Sequence, residues 1–351
     1  MRQGKGLLVS ALVLVQVLSL VTIWSTFPDL FLTQLSFVIA GIIIVLLLSK
    51  ADLSLFFSLS TFLYIGSIVL LVVTLFVGRN IRGSVRWIDL GFFNLQTSEI
   101  VKPLLAIAYS ACLTSLKKIN WKEMLTFLAL AIVPVGLVAI QPDLGSALTL
   151  IFLPLALLAF SGQYKKLLIL GTIAAIILVP LESKLLKPYQ RQRLETFINP
   201  YSDPQGAGYN VIQATIAVGS GKILGKGVKL GTQSHLNFLP ERHTDFIFAS
   251  FTEEFGLVGV LVLFISYGVI FNYCLNLVRH FRDRASILLS LSIFLLFLFQ
   301  FVVNVGMNLG IMPVTGITLP LFSYGGSSLL SFSILIGLLM RQLDLIDPFE
   351  I

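Results

Sequence analysis

Apolar residues in this chain come in runs of about twenty, without alternation, and the runs recur from one end to the other. Ten can be marked, at about 7–26, 31–49, 54–77, 98–116, 124–140, 144–161, 166–182, 246–273, 286–310 and 321–340. A helix of that length spans the ~30 Å of a bilayer's hydrocarbon. Backbone groups in lipid must bond within the protein, so the runs read as helices of a bundle. They carry no alternating polar face, which argues against a membrane β-barrel. The predicted fold class is all-α and polytopic, one integral-membrane domain over residues 1–351 with about ten transmembrane helices.

The polar positions are unevenly spread. Three connections exceed a minimal turn: 78–97, 183–245 between the seventh and eighth runs, and 308–328. Within the second, residues 208–219 (GYNVIQATIAVG) have apolar residues at helical spacing, predicting a helix lying on the membrane surface. The glycine-rich run 219–231 (GSGKILGKGVKLG) fits neither the Walker nor the G-x-G-x-x-G spacing, so it reads as tight turns. No internal repeat of fixed period is visible.

Composition agrees with the pattern: 56% of the residues are hydrophobic, 12% are charged, and the mean hydropathy is +0.95, too apolar for a soluble fold. The net charge of +7 could suggest nucleic acid, but its placement suggests orientation instead. With the N-terminus inside, the inner segments collect Lys50, Lys122, Lys165, Arg279, Arg282 and other basic residues, against Arg79, Arg82 and Arg86 in short outer loops. The positive-inside rule then places both termini in the cytoplasm and the three long polar segments outside. No nucleic-acid partner is expected. The first run follows Arg2 and Lys5 without a small-residue cleavage site, so it reads as a retained anchor. Cys112 and Cys274 sit near inner helix ends, with no disulfide or zinc site expected.

Candidate chemistry concentrates between His235 and Gly256, HLNFLPERHTDFIFASFTEEFG, which holds Glu241, His243, Asp245, Glu253 and Glu254 at the edge of an apolar run. Ionisable groups at such a boundary are costly and mark function. Asp245 directly precedes the eighth run, so helix capping is an alternative to a role as general base. Glu253 lies eight residues on, about 80° round a helix, where it and Asp245 could border one cavity. Glu99 and Lys102 share a helix face, either as a local ion pair or as a cavity lining with Lys102 open to an anion. The planar fork of Arg86 suits a diphosphate, and Trp87 suits a membrane interface or a sugar face. Gln141, Pro142 and Asp143 form a turn, with Asp143 towards the outer surface.

The string FLPERHTDFIFASFTEEFG (238–256) resembles the signature of the SEDS family, the RodA/FtsW/SpoVE group of cell-wall glycosyltransferases. So do GSVRWIDLG (83–91), QTSEIVK (96–102), QPDLGSAL (141–148) and NLGIMPVTGITLPLFSYGGSS (308–328), in the family's order and over nearly the whole chain. PERHTDF and the 311–326 segment are closer to the elongation members than to the division members. The chain departs at Thr97, where the family usually has proline, and at Asn210 and Lys222, where glutamine and glycine are common.

The resemblance implies a peptidoglycan polymerase joining lipid II units by β-1,4 links on the outer face of the bacterial cytoplasmic membrane. It places the family's essential aspartate on Asp245, its arginine and tryptophan on Arg86 and Trp87, and its cavity glutamate and lysine on Glu99 and Lys102. Asp143, Arg242, His243, Thr244 and Glu253 complete the expected substrate-binding set. Arg86 and Lys102, with a divalent cation such as Mg or Mn, would stabilise the departing diphosphate; no organic cofactor is expected. The implied partners are a class B penicillin-binding protein (the transpeptidase), MreC/MreD-type elongation proteins, lipid II, nascent glycan and membrane lipids. Two rival readings remain at this stage. One is a lipid II flippase, whose expected signature of related halves with charges near the midplane is not visible. The other is a scaffold in which Asp245 only caps a helix.

Overall fold

The computed structural model describes residues 2–81, 84–91, 93–116, 120–161, 193, 195–206 and 208–345. The run expected at 166–182, and residues 183–192 of the long connection, lie outside the described residues.

The other nine expected spans are helices. They are α1 (Arg2–Thr26), α2 (Phe31–Leu48), α3 (Leu53–Ser58) continued by α4 (Ser60–Val77), α5 (Thr97–Ser115), α6 (Trp121–Ile140), α7 (Leu144–Phe160), and, after the long connection, α10 (Ile247–His280), α11 (Arg284–Asn308) and α12 (Gly326–Leu345). The long connection itself carries α8 (Tyr209–Ser220) and α9 (Thr232–His235). Among the described residues, seven helices are long and apolar enough to cross a membrane, and Leu144–Phe160 is a shorter apolar one. The third span is one run in sequence but two helices, broken at Leu59.

Helices α5, α11 and α12 carry the most thoroughly buried faces, and their leucines and phenylalanines form the main hydrophobic cluster with α1, α7 and α10. The peripheral helices α2 and α4 leave Leu32, Phe62 and Phe76 exposed, as lipid-facing surfaces do. Small hydroxyl residues join buried neighbours, as where Ser110 of α5 meets Ser292 of α11 at 3.1 Å. Both cysteines are free.

At one end of the bundle the 78–97 connection folds into an antiparallel sheet of order β1-β2-β3: β1 Arg79–Ile81, β2 Ser84–Asp89 and β3 Asn94–Gln96. Trp87 stands opposite Arg79 on one side and Gln96 on the other. The expected helix at 208–219 is present as α8, and part of its apolar side meets protein while Ile216 stays exposed. Ala214 and Ala217 form a buried cluster with Leu239, Phe246 and Ala249.

Helix α10 is interrupted at Gly256 (φ 62°, ψ −163°), a conformation that glycine tolerates and other residues do not. The glycine-rich run fills the break. Leu257 and Val258 donate N–H to the carbonyls of Lys222 and Ile223 (2.9 and 3.1 Å), while Lys226 and Gly227 donate to those of Glu253 and Glu254 (2.9 and 3.0 Å). An irregular backbone beside apolar helices persists because these partners satisfy it.

Helix α12 starts at Gly326 and not at 321. The preceding segment stays irregular because other elements hold its polar groups: Gln16 and Ser19 of α1 donate to the carbonyls of Leu321 and Phe322 (2.8 and 2.6 Å).

Candidate active site

At the sheet end of the bundle, a cavity of about 520 Å³ opens between α2, the sheet, the turn before α10 and the segment before α12. Arg86, Trp87, Gln96, Glu241, Thr244, Asp245, Gly316 and Tyr324 are among its lining.

Asp245 closes a turn in which the Glu241 carbonyl accepts the N–H groups of Thr244 and Phe246 (3.1 and 3.2 Å). Glu241 sits at φ 50°, a strained value for a non-glycine residue that marks a built turn. The rest of the turn is tied outward. Tyr324 N–H donates to the His243 carbonyl (2.9 Å) and the Ser323 hydroxyl to that of Thr244 (2.8 Å). The carbonyl of Asp245 accepts from the side-chain amides of Asn304 and Asn308 (3.1 and 3.0 Å). The capping alternative does not describe this geometry. The N-cap of α10 is Phe246, with no side-chain cap bond, and Asp245 stands one residue before it, in the cavity wall. Across the cavity, Gly316 (φ 74°) faces the Asp245 carboxylate; a β-carbon there would lie 3.6 Å from its Oδ2.

Arg86 lines the cavity from β2, with its Nη1 3.3 Å from Asp143 Oδ1. Its Nε is buried without a protein partner, which leaves donor capacity for an anion. Asp143 is buried, caps α7 through Ser146 N–H (3.2 Å), and accepts from Gln96 and Ser98 (3.1 and 2.9 Å). Burial alone would raise its pKa. The Arg86 guanidinium and the bonds from Ser146 and Ser98 outweigh that, holding it below the ordinary carboxylate value. Asp143 therefore fixes the Arg86 guanidinium, a role that its turn position in the sequence did not suggest.

Three expectations need correcting. Lys102 is not open to an anion: its Nζ sits 2.6 Å from Glu99 Oε1, and the side chains are 1% and 6% exposed. The local ion pair is what forms, because two charges on one buried helix face cost least when they neutralise each other. Glu253 does not border the Asp245 cavity. It is fully buried and taken up by Lys226 Nζ (2.7 Å), the N–H groups of Gln233 and Ser234 (3.0 and 3.2 Å) and the Ser234 hydroxyl (3.1 Å). It anchors the long connection to α10. Arg242 and His243 point away from the cavity towards the loop after α1. Arg242 Nε donates to the Thr26 carbonyl (3.1 Å) and its guanidinium lies over the Phe27 ring, against which the His243 ring also packs at a tilt, 4.9 Å between centroids. Of the expected set, Asp245, Arg86, Trp87 and Thr244 line one cavity, Asp143 supports it, and Glu99, Lys102, Arg242, His243 and Glu253 hold the frame.

Sequence reasoning also missed Asn304 and Asn308, polar residues four apart on one face of an apolar run. Amides inside such a run are a signal in themselves. Among the described residues, no group of three or more His, Cys, Asp or Glu side chains is placed to hold a metal ion. The carboxylates in the cavity lining are Asp245 and Glu241, two oxygen donors that could hold a divalent cation only together with ligands from outside this set.

The fold and cavity define a polytopic helical membrane protein whose chemistry is gathered at one end of the bundle. Residues 5–344 match the family model for the FtsW/RodA/SpoVE cell cycle proteins, and the chain belongs to that family. It is 38% identical over 307 residues to the peptidoglycan glycosyltransferase MrdB of Escherichia coli K12, covering 86% of this chain and 82% of that protein. It is 33% identical over 390 residues to the peptidoglycan glycosyltransferase RodA of Treponema pallidum, covering 88% of each. Among solved structures, a chain from a peptidoglycan synthase complex that coordinates polymerization and crosslinking aligns with a TM-score of 0.83 at 33% identity, over 96% of this chain and 97% of that one. The rod-shape-determining protein RodA of Thermus thermophilus aligns with a TM-score of 0.73 at 29% identity, over 96% of each.

Proposed function

We propose that this protein is a peptidoglycan glycosyltransferase of cell elongation, polymerising lipid II in the bacterial cytoplasmic membrane with the cavity facing outside. The observation that carries the reading is one cavity holding both the Asp245 carboxylate and the Arg86 guanidinium, in a chain 38% identical to MrdB. Outside the membrane no nucleotide supplies energy, and a sugar linked to a lipid diphosphate brings its own leaving group.

Asp245 takes the proton from the 4-hydroxyl of the acceptor sugar as that oxygen attacks the anomeric carbon of the donor. The carbon–oxygen bond to the diphosphate breaks, the configuration inverts to β, and the bond electrons leave with the lipid diphosphate. Arg86, held in place by Asp143, takes up that charge through its remaining donors. Trp87 offers its ring to a sugar face. A divalent cation bound to the diphosphate would share the neutralisation. The coordinated synthase complex among the similar structures supports a class B penicillin-binding protein as partner, with MreC/MreD-type proteins as further neighbours.

The test is polymerisation of labelled lipid II by purified protein, wild type beside Asp245→Asn. The wild type should give glycan ladders, and the folded variant a rate at least ~100-fold lower. Ladders of equal intensity would remove Asp245 as the base. None from the wild type, even with divalent cation and a transpeptidase partner present, would favour lipid transport.

A further inference from the structure

Extended by one residue at its N-terminus, α10 would carry a hydrogen bond from the N–H of Ala249 to the carbonyl of Asp245, four residues earlier. The side-chain amide of Asn308 stands between those two groups. Its Oδ1 accepts from Ala249 N–H at 3.0 Å, and its Nδ2 donates to the Asp245 carbonyl at 3.0 Å. One amide thus replaces a helical bond while keeping its two ends apart. The same Nδ2 also donates to the Asn304 carbonyl (2.8 Å), which fixes the amide's rotation.

Asn304, one turn away, does the complementary task. Its Nδ2 donates to the Asp245 carbonyl (3.1 Å) and to the Ile317 carbonyl (2.8 Å). Ile317 follows Gly316, the residue that faces the Asp245 carboxylate across the cavity. One side chain thereby spans both walls. Both asparagines are fully buried in an apolar helix, where an amide is costly unless its hydrogen bonds are made. These amides make theirs almost wholly with the backbone of the candidate site.

We infer that Asn308 and Asn304 are positioning residues for the transfer step: they hold Asp245 out of the first turn of α10 and set its distance from the Gly316 wall. The inference rests on Asp245 being the base. Asn308→Ala removes the inserted amide, so the Asp245 carbonyl and the Ala249 N–H can close on each other and draw Asp245 into the helix. Asn308→Asp keeps the acceptor for Ala249 but loses the donor to Asp245. Asn304→Ala frees the Ile317 wall.

The experiment is steady-state polymerisation of lipid II by detergent-purified, monodisperse protein, comparing wild type, Asp245→Asn, Asn308→Ala, Asn308→Asp, Asn308→Gln and Asn304→Ala. The alanine variants and Asn308→Asp should lose 10- to 100-fold in kcat, with KM for lipid II within about twofold of wild type. Asn308→Gln, which keeps both halves of the amide, should recover part of that loss. Should alanine at 304 prevent folding, Asn304→Ser replaces it with the same expectation. Wild-type kcat in folded Asn308→Ala and Asn304→Ala, beside an inactive Asp245→Asn, would overturn this inference alone. So would equal losses in Asn308→Gln and Asn308→Ala, which would show that the position serves packing and not the amide. An active Asp245→Asn would instead overturn the assignment of the base on which it rests.

Discussion

Asp143 shows how much of this site depends on a carboxylate behind the cavity lining. Its carboxyl is held below the ordinary value by Arg86, against the opposing effect of burial. A depressed folded pKa adds stability that is present above the unfolded carboxylate value and lost as pH falls through the folded one. Thermal unfolding followed over pH should therefore show an acid-side loss in the wild type that is smaller in Asp143→Asn, which starts less stable at neutral pH. The same substitution should raise KM for lipid II or lower kcat by about tenfold, because Arg86 loses its fixed orientation. Gly316→Ala places a methyl group 3.6 Å from Asp245 Oδ2 at a φ of 74°, and should reduce turnover more than binding. At this scale the sequence left Glu99 and Lys102 open between a local pair and a cavity lining, and burial of both charges decides for the pair. It was not legible for Glu253, because helical geometry says where the carboxylate points but not that Lys226 and Ser234 come back to meet it.

Among the elements, the break in α10 is the most exposed to substitution. A β-carbon at Gly256 would come within 2.2 Å of Gly225 N and 2.6 Å of Ile223 O, both backbone atoms that flexible side chains cannot relieve. Gly256→Ala should cost about 3 kcal/mol or more, read as a fall in the unfolding midpoint in detergent, with the four backbone bonds to residues 222–227 lost together. Glu253→Gln should be milder, about 2–3 kcal/mol, and should open residues 219–235 to limited proteolysis. The apolar runs announced the helices because lipid demands length, and the tight-turn reading of the glycine run agrees with its place against α10. The sheet of 78–97 was missed, since three short strands in one connection lack the repeated alternation that makes a sheet stand out. What residues 84–89 did carry, β-branched and aromatic residues in SVRWID, was read for its chemistry alone.

For the molecule as a whole, the basic residues predict that the sheet end faces outside. Single cysteines placed at Tyr201 and at Lys122, in a chain freed of Cys112 and Cys274, should react with a membrane-impermeant maleimide in whole cells at the first position only. The reverse pattern would put the cavity in the cytoplasm and remove the proposed substrate face. Chain order adds a further consequence. The turn carrying Asp245 is held by side chains 59 and 63 positions further on, and the segment before α12 hangs on α1 across 305 and 303 positions. A polypeptide leaving the ribosome thus presents its acidic turn to the bilayer long before the asparagines that shape it are made. A chain cut short before α12 should therefore enter the membrane as an inert bundle, unable to draw on the cell's lipid-linked precursor.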